Sequence, residues 1–148
     1  MTPVGLLVGE APGPLPYGRR LPLFPTATSA GGRLMSYAEV TAEEWFGRLR
    51  RTNLCPGGWA RETAEVRAKE LRLWCLQQEV LPRVLLLGVG VRDAWGIRST
   101  ATFGYTERGG LEVAWVPHPS ARLIYRHTNN RLKARRAVLW AMGGRSQP

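Results

Sequence analysis

Apolar and polar positions alternate along the chain in blocks that read as strands and helices in turn. Val4 to Val8 is an unbroken apolar run closed by Gly9, too short for a helix and suited to a buried strand. Residues 12–32 then hold five prolines and four glycines, which predicts an irregular surface segment near the end of that strand. Thr41 with Glu44 three residues later forms a capping box ahead of Trp45, Phe46 and Leu49, so a short helix is expected there, ending before Asn53. The longest predicted helix runs from Ala60 to Leu81, with Val66, Leu71, Trp74 and Cys75 at near-helical spacing and Pro82 as its stop. Val84 to Leu87, closed by Gly88, and Leu111 to Val116, ahead of Pro117, are two more continuous apolar runs and read as central strands. Asn129 or Asn130 is placed to cap a last helix whose Leu132, Val138, Leu139 and Met142 face the core while its arginines face outward.

Strands alternating with helices predict an α/β fold, a three-layer α/β/α domain around a small, mostly parallel central sheet. In such sheets ligands bind beyond the carboxyl ends of the strands. Three segments stand there: Gly9 to Gly13, Gly88 to Gly90, and His118 to Ser120.

Composition narrows the function classes. The chain has 148 residues, 44% apolar and 22% charged, which fits one soluble domain spanning 1–148. No apolar run is long enough for a bilayer and the opening residues lack a basic leader, so no membrane association and a cytoplasmic, nucleoid-associated location are expected. Lys and Arg total 21 against 11 acids, a formal charge of +10, and a polyanion such as DNA is the expected partner. An arginine-rich genome would leave the same bias. Basic residues nonetheless cluster at Arg48, Arg50 and Arg51, and again at Arg131, Lys133, Arg135 and Arg136, as patches or as solvated helix faces. Cys55 and Cys75 are the only cysteines, too few for a disulfide framework or, alone, a tetrahedral metal site.

Two motifs carry chemistry. Gly9-Glu10-Ala11-Pro12-Gly13 follows the first strand directly, and Glu10 is the only carboxylate among the first 38 residues. Its glycines and proline suit a tight turn whose amides face a ligand, or simply a strand-ending turn with a solvated glutamate. His118-Pro119-Ser120 follows the third apolar run; a histidine held between prolines is fixed in direction, as needed to meet charge developing on a leaving group. The plainer alternative is a surface-loop histidine, which is how His127 reads. Gly88-Val89-Gly90 lacks the third glycine and downstream acid of a dinucleotide fingerprint, and no zinc, P-loop or nucleophile-elbow motif appears.

The two motifs together resemble the active-site motifs of the uracil-DNA glycosylase superfamily. Between them, Phe24 after Pro22 resembles the aromatic that stacks on a flipped base, and Thr52-Asn53-Leu54 resembles the strand-borne asparagine that reads the base edge. Gly31, Arg33 and Leu34 resemble the helix start that follows, and Leu71 to Gly88 is similar to a helix and strand of the iron-sulfur branch. That branch uses four cysteines, whereas this chain holds two, so no iron-sulfur cluster and no other cofactor are expected. Other departures are an acid-free stretch over residues 14–38, Ala11 where other branches place aspartate or asparagine, and Phe24 one residue further from its proline. Arg122 stands four residues after His118, where many members have a leucine wedge.

The resemblance implies a monofunctional DNA glycosylase, acting as a monomer, that flips a base out and hydrolyses its N-glycosidic bond. Under it Arg122 or Leu123 wedges the gap, while Ala11, Phe24 and Asn53 bind the base. His118 donates to the departing anion, Glu10 positions or deprotonates water, and Gly13, Ser120 and the arginines hold phosphates. Uracil is the default substrate. Pro14 to Arg20 in place of an acidic segment points to a 5-modified pyrimidine, including bulky modified cytosine, in repair or in defence against phage. The rival expectation is a DNA-binding module that kept the fold and lost the chemistry; an RNA-associated domain lacks an aromatic strand motif.

Overall fold

The computed structural model describes residues 3–11, 23 and 29–148. Five strands form one sheet in the order β2-β1-β3-β5-β4, with β1 at Gly5–Gly9, β2 at Leu49–Asn53, β3 at Arg83–Leu87, β4 at Gly104–Arg108 and β5 at Leu111–Val116. The pairs β1 with β2, β1 with β3 and β3 with β5 are parallel, and β4 runs antiparallel to β5 at one edge. Parallel neighbours need crossovers: α1 (Ala30–Ala38) and α2 (Ala42–Arg48) connect β1 to β2, α3 (Arg61–Leu76) connects β2 to β3, and α4 (Val89–Ala94) lies between β3 and β4, while α5 (Arg122–Tyr125) and α6 (Thr128–Ala141) follow the last strand.

Alternation along the strands sorts the core into two layers. Leu6, Val8, Val84, Leu86, Val113 and Trp115 point to α3 and α4, while Leu7, Leu85, Leu87, Ala114 and Val116 point to α1, α2 and α6. The apolar runs of β1, of β3 from Val84 and of β5 from Val113 follow from this burial on both faces, Glu112 being half-buried, and the expected three-layer α/β/α architecture is what forms. Among the described residues no helix is long and apolar enough to cross a membrane.

Several element expectations need correction. The capping box is made, since Thr41 Oγ1 accepts the Glu44 N–H at 3.1 Å, and α2 ends at Arg48, before Asn53 as expected; what changes is that Leu49 opens the edge strand and is not part of the helix. Helix α3 ends at Leu76, short of Pro82, and Val80 and Leu81 beyond it are exposed, so they offer no buried apolar face to extend it. Its core face is Ala64, Ala68 and Cys75, small residues that let the helix lie close to the sheet, and Val66 is exposed. No asparagine caps α6; its N-cap is His127, and Asn130 Nδ2 donates to the Ile124 carbonyl. The core face of α6 is Ala134, Ala137, Val138, Trp140 and Ala141, with Met142 buried just beyond, whereas Leu132 and Leu139 are exposed.

From β1 the chain passes to β2 on one side, then crosses back over β1 to β3 on the other. The order therefore reverses between β1 and β3, and in open α/β sheets a crevice opens at the carboxyl ends of such a pair. Those ends are Gly9-Glu10 and Gly88.

Candidate active site at the carboxyl end of the sheet

Strand β2 continues its pairing past the end of β1. Leu54 N–H donates to the Gly9 carbonyl at 3.0 Å and Cys55 N–H to the Glu10 carbonyl at 2.9 Å, which fixes the backbone that carries the glutamate. Asn53 pairs in register with Gly9, and a Cβ on Gly9 would stand 2.5 Å from Asn53 Oδ1. Only glycine leaves room there for the amide.

On the other side of β1, Gly88 leaves β3 with φ +96°, a conformation that side chains rarely adopt. Its N–H bonds the Val116 carbonyl at 2.9 Å, which ties the turn to the end of β5 just before Pro117 and His118. A Cβ on Gly88 would lie 2.9 Å from Glu10 Oε1 and 3.5 Å from His118 Cβ. The ends of β1, β3 and β5 thus bring the carboxylate and the histidine close to one bare backbone position.

His118 is held from behind. The Tyr125 hydroxyl, buried, donates to the Pro117 carbonyl at 2.7 Å, and the Tyr37 hydroxyl donates to the Pro119 carbonyl at 3.3 Å. The two rings stack with centroids 4.7 Å apart. Burial, with the nearby Tyr37, pushes the Tyr125 phenol up, so it remains a donor throughout the neutral range. Sequence reasoning missed both tyrosines, since neither lies in a motif and their partners are backbone carbonyls across the fold.

Hydrogen bonding also decides the protonation state of His118. The Ser120 backbone N–H points at Nδ1 from 3.1 Å, so Nδ1 must accept. Ser120 Oγ lies 2.6 Å from the same nitrogen and donates to it in that tautomer. The ring proton therefore sits on Nε2. Partial burial lowers the His118 pKa from its ordinary 6.5; the Glu10 carboxylate opposes that shift and the Arg33 guanidinium adds to it. The result is a neutral imidazole presenting one N–H donor. Arg33, on α1, acts here as a fixed positive charge that the sequence reading placed only as part of a helix start.

The remaining predicted site residues fall in different places. Ser120, expected to hold a phosphate, has both its polar groups turned to His118. Arg122 and Leu123 stand exposed on α5, Leu123 with 74% of its surface free. Ala11 is half-buried against the α3 side of the core. Gly13, Phe24 and the segment Pro14 to Arg20 lie outside the described residues.

The arginine clusters are partly committed to the fold. Arg131 donates to the carbonyls of Tyr125 and Arg126, Arg135 pairs with Glu39 at 3.1 Å, and Arg51 bonds the Leu49 carbonyl and covers the Phe46 ring. Arg50 lies over Trp74, lining with Arg51 and Arg67 a cavity of about 690 Å³ along edge strand β2. That cavity includes neither Glu10 nor His118.

The cysteines do not fit a cluster. Cys55 Sγ exchanges hydrogen bonds with the N–H and carbonyl of Ala60 at 3.5 Å, and burial pushes the Cys75 thiol up to about 11, so both are packed as structural thiols. Two thiols are half of what a four-cysteine cluster takes, and among the described residues no group of three or more His, Cys, Asp or Glu side chains gathers as metal ligands. A scan against protein-family models and a search of curated proteins both find no match to this chain.

Proposed function

We propose that the protein is a monofunctional DNA glycosylase that hydrolyses the N-glycosidic bond of a flipped uracil or 5-modified pyrimidine. The observation that carries this reading is the approach of the Glu10 carboxylate and a neutral His118 to the same bare position, Gly88, at the sheet's switch point. Glycosidic cleavage leaves a sugar with oxocarbenium character and a base with negative charge, so it asks for an anion on one side and a hydrogen-bond donor on the other. Glu10 and His118 supply that pair. The order of motifs along the chain, similar to that of the uracil-DNA glycosylase superfamily, agrees with this reading.

In this mechanism the nucleotide leaves the stack, at a cost of a few kcal/mol, and Leu123 or Arg122 on α5 occupies the space it vacates. Asn53, its amide seated over Gly9, reads the Watson-Crick edge of the base. As the bond between C1′ and the base nitrogen breaks, its electron pair goes to the base, and the His118 Nε2–H donates a hydrogen bond to the oxygen that gains charge. Water then bonds to C1′, and Glu10 accepts its proton. The products are an abasic site and the free base, and no redox partner is needed.

Incubation with end-labelled oligonucleotides carrying one uracil, one hydroxymethyluracil or one modified cytosine, followed by alkali, tests the proposal. Strand scission at the modified position is expected with the wild type. Replacing His118 by Ala removes one donor to the developing charge and is expected to slow excision by about 10²–10³-fold.

A further inference from the structure

The segment from Cys55 to Trp59 leaves the site at Glu10 and returns to it at the turn after β3. Its base is closed twice, by the Cys55 N–H on the Glu10 carbonyl and by the Cys55 thiol on Ala60. Between these ties Gly57 and Gly58 have open space around them, and Trp59 folds back. A Cβ on Gly90 would lie 3.0 Å from Trp59 Cζ2, 3.3 Å from Cη2 and 3.5 Å from Cε2. Such similar distances to one ring carbon and both its bonded neighbours place Gly90 over the face of the indole. An edge-on approach would leave the neighbours much further off.

Trp59 therefore lies flat on the first turn of α4, two residues from the glycine that touches Glu10 and His118. It is nevertheless 41% exposed, and Val89 between the two glycines is exposed as well. Among the described residues no ring and no cation stacks on the indole. The ring is seated on Gly90, and two-fifths of the residue stays open to solvent.

We infer that Trp59 is a stacking platform for an unpaired base of the DNA strand, next to the nucleotide that enters the site. The inference rests on the glycosylase reading for the identity of the polymer. A net charge of +10 draws a nucleic-acid strand to the surface. The exposed indole accepts any base, because every base has a π-face, and a loop tied at both ends loses little freedom on binding. It predicts affinity without sequence preference, contributed by a residue that takes no part in bond cleavage.

The test measures fluorescence anisotropy of a short labelled single-stranded oligonucleotide without any excisable base, at one fixed salt concentration. Trp59→Ala is expected to bind about tenfold more weakly than wild type, and Trp59→Phe, which keeps a flat ring, to stay within about threefold. Circular dichroism of both variants checks that the fold is retained. Equal affinity of Trp59→Ala and wild type overturns the inference, as does a Phe variant as weak as the Ala variant, or a wild type that does not bind DNA. A wild type that binds through Trp59 but excises nothing contradicts the glycosylase reading and supports the platform.

Discussion

Replacing Gly88 by Ala tests the geometry on which the site depends. At φ +96° and ψ 159° the residue occupies a region almost confined to glycine, so a side chain costs about 1–3 kcal/mol in backbone strain. For a chain of this length that is a fall in Tm of roughly 4–12 °C. The new Cβ also meets Glu10 Oε1 at 2.9 Å. The end of a glutamate moves at little energetic cost, so this contact adds little to the instability, but it shifts the carboxylate off its position. A displacement of about 1 Å can cost about 10²-fold in rate. Single-turnover excision well below the melting temperature, together with a thermal melt, separates the two effects. Gly96→Ala is the control: its φ is +90°, and its Cβ would meet only the Arg108 guanidinium, at 3.5 Å, so it should lose stability and keep excision. A Gly88→Ala protein that excises as fast as wild type refutes the account of Gly88 as the bare position beside Glu10 and His118. Equal loss of excision in both variants would assign the effect to strain alone.

Other perturbations probe the support of the site. Tyr125→Phe deletes a buried hydrogen bond to Pro117 and leaves its carbonyl unpaired, so chemical denaturation should show a loss of about 1–3 kcal/mol. Because the His118 pKa is lowered from 6.5, the acid limb of kcat/KM that follows its protonation should be centred below pH 6.5. An acid limb centred at or above 6.5 contradicts this. Stability follows the same sign: between the lowered folded value and 6.5 the unfolded chain binds more protons, so falling pH weakens the fold across that window, and His118→Gln should flatten the dependence. Leu123→Ala, at an exposed position, should change stability by less than about 0.5 kcal/mol, while slowing excision from duplex more than from single-stranded DNA.

What the sequence discloses depends on how each feature is encoded. Strands β1, β3 and β5 are largely buried on both faces, so their apolar runs stand out, with Glu112 the one charged interruption in β5. Strand β2 is Leu-Arg-Arg-Thr-Asn on an open edge, and β4 is half polar; neither carries a run, although Gly109-Gly110 ahead of β5 marks the hairpin that pairs β4 with it. Helix α6 packs largely through alanines, so its leucines pointed to the wrong face. Glu10, Asn53 and His118 were legible because they sit at strand ends in recognisable order. The parts played by Tyr37, Tyr125 and Arg33 were not, because each acts through a backbone group or a charge that folding alone brings near.

The central claim is that Glu10 and His118 perform chemistry, and a comparison of excision with binding tests it most directly. Wild type, Glu10→Gln and His118→Ala are to be measured for single-turnover excision of the preferred base and for affinity to the same DNA carrying a non-hydrolysable analogue. The account predicts near-equal affinities and excision slowed by about 10²-fold or more in each variant. Excision that survives both substitutions, or a wild type that binds DNA and cleaves no base, contradicts it; the second result identifies a binding module on this fold.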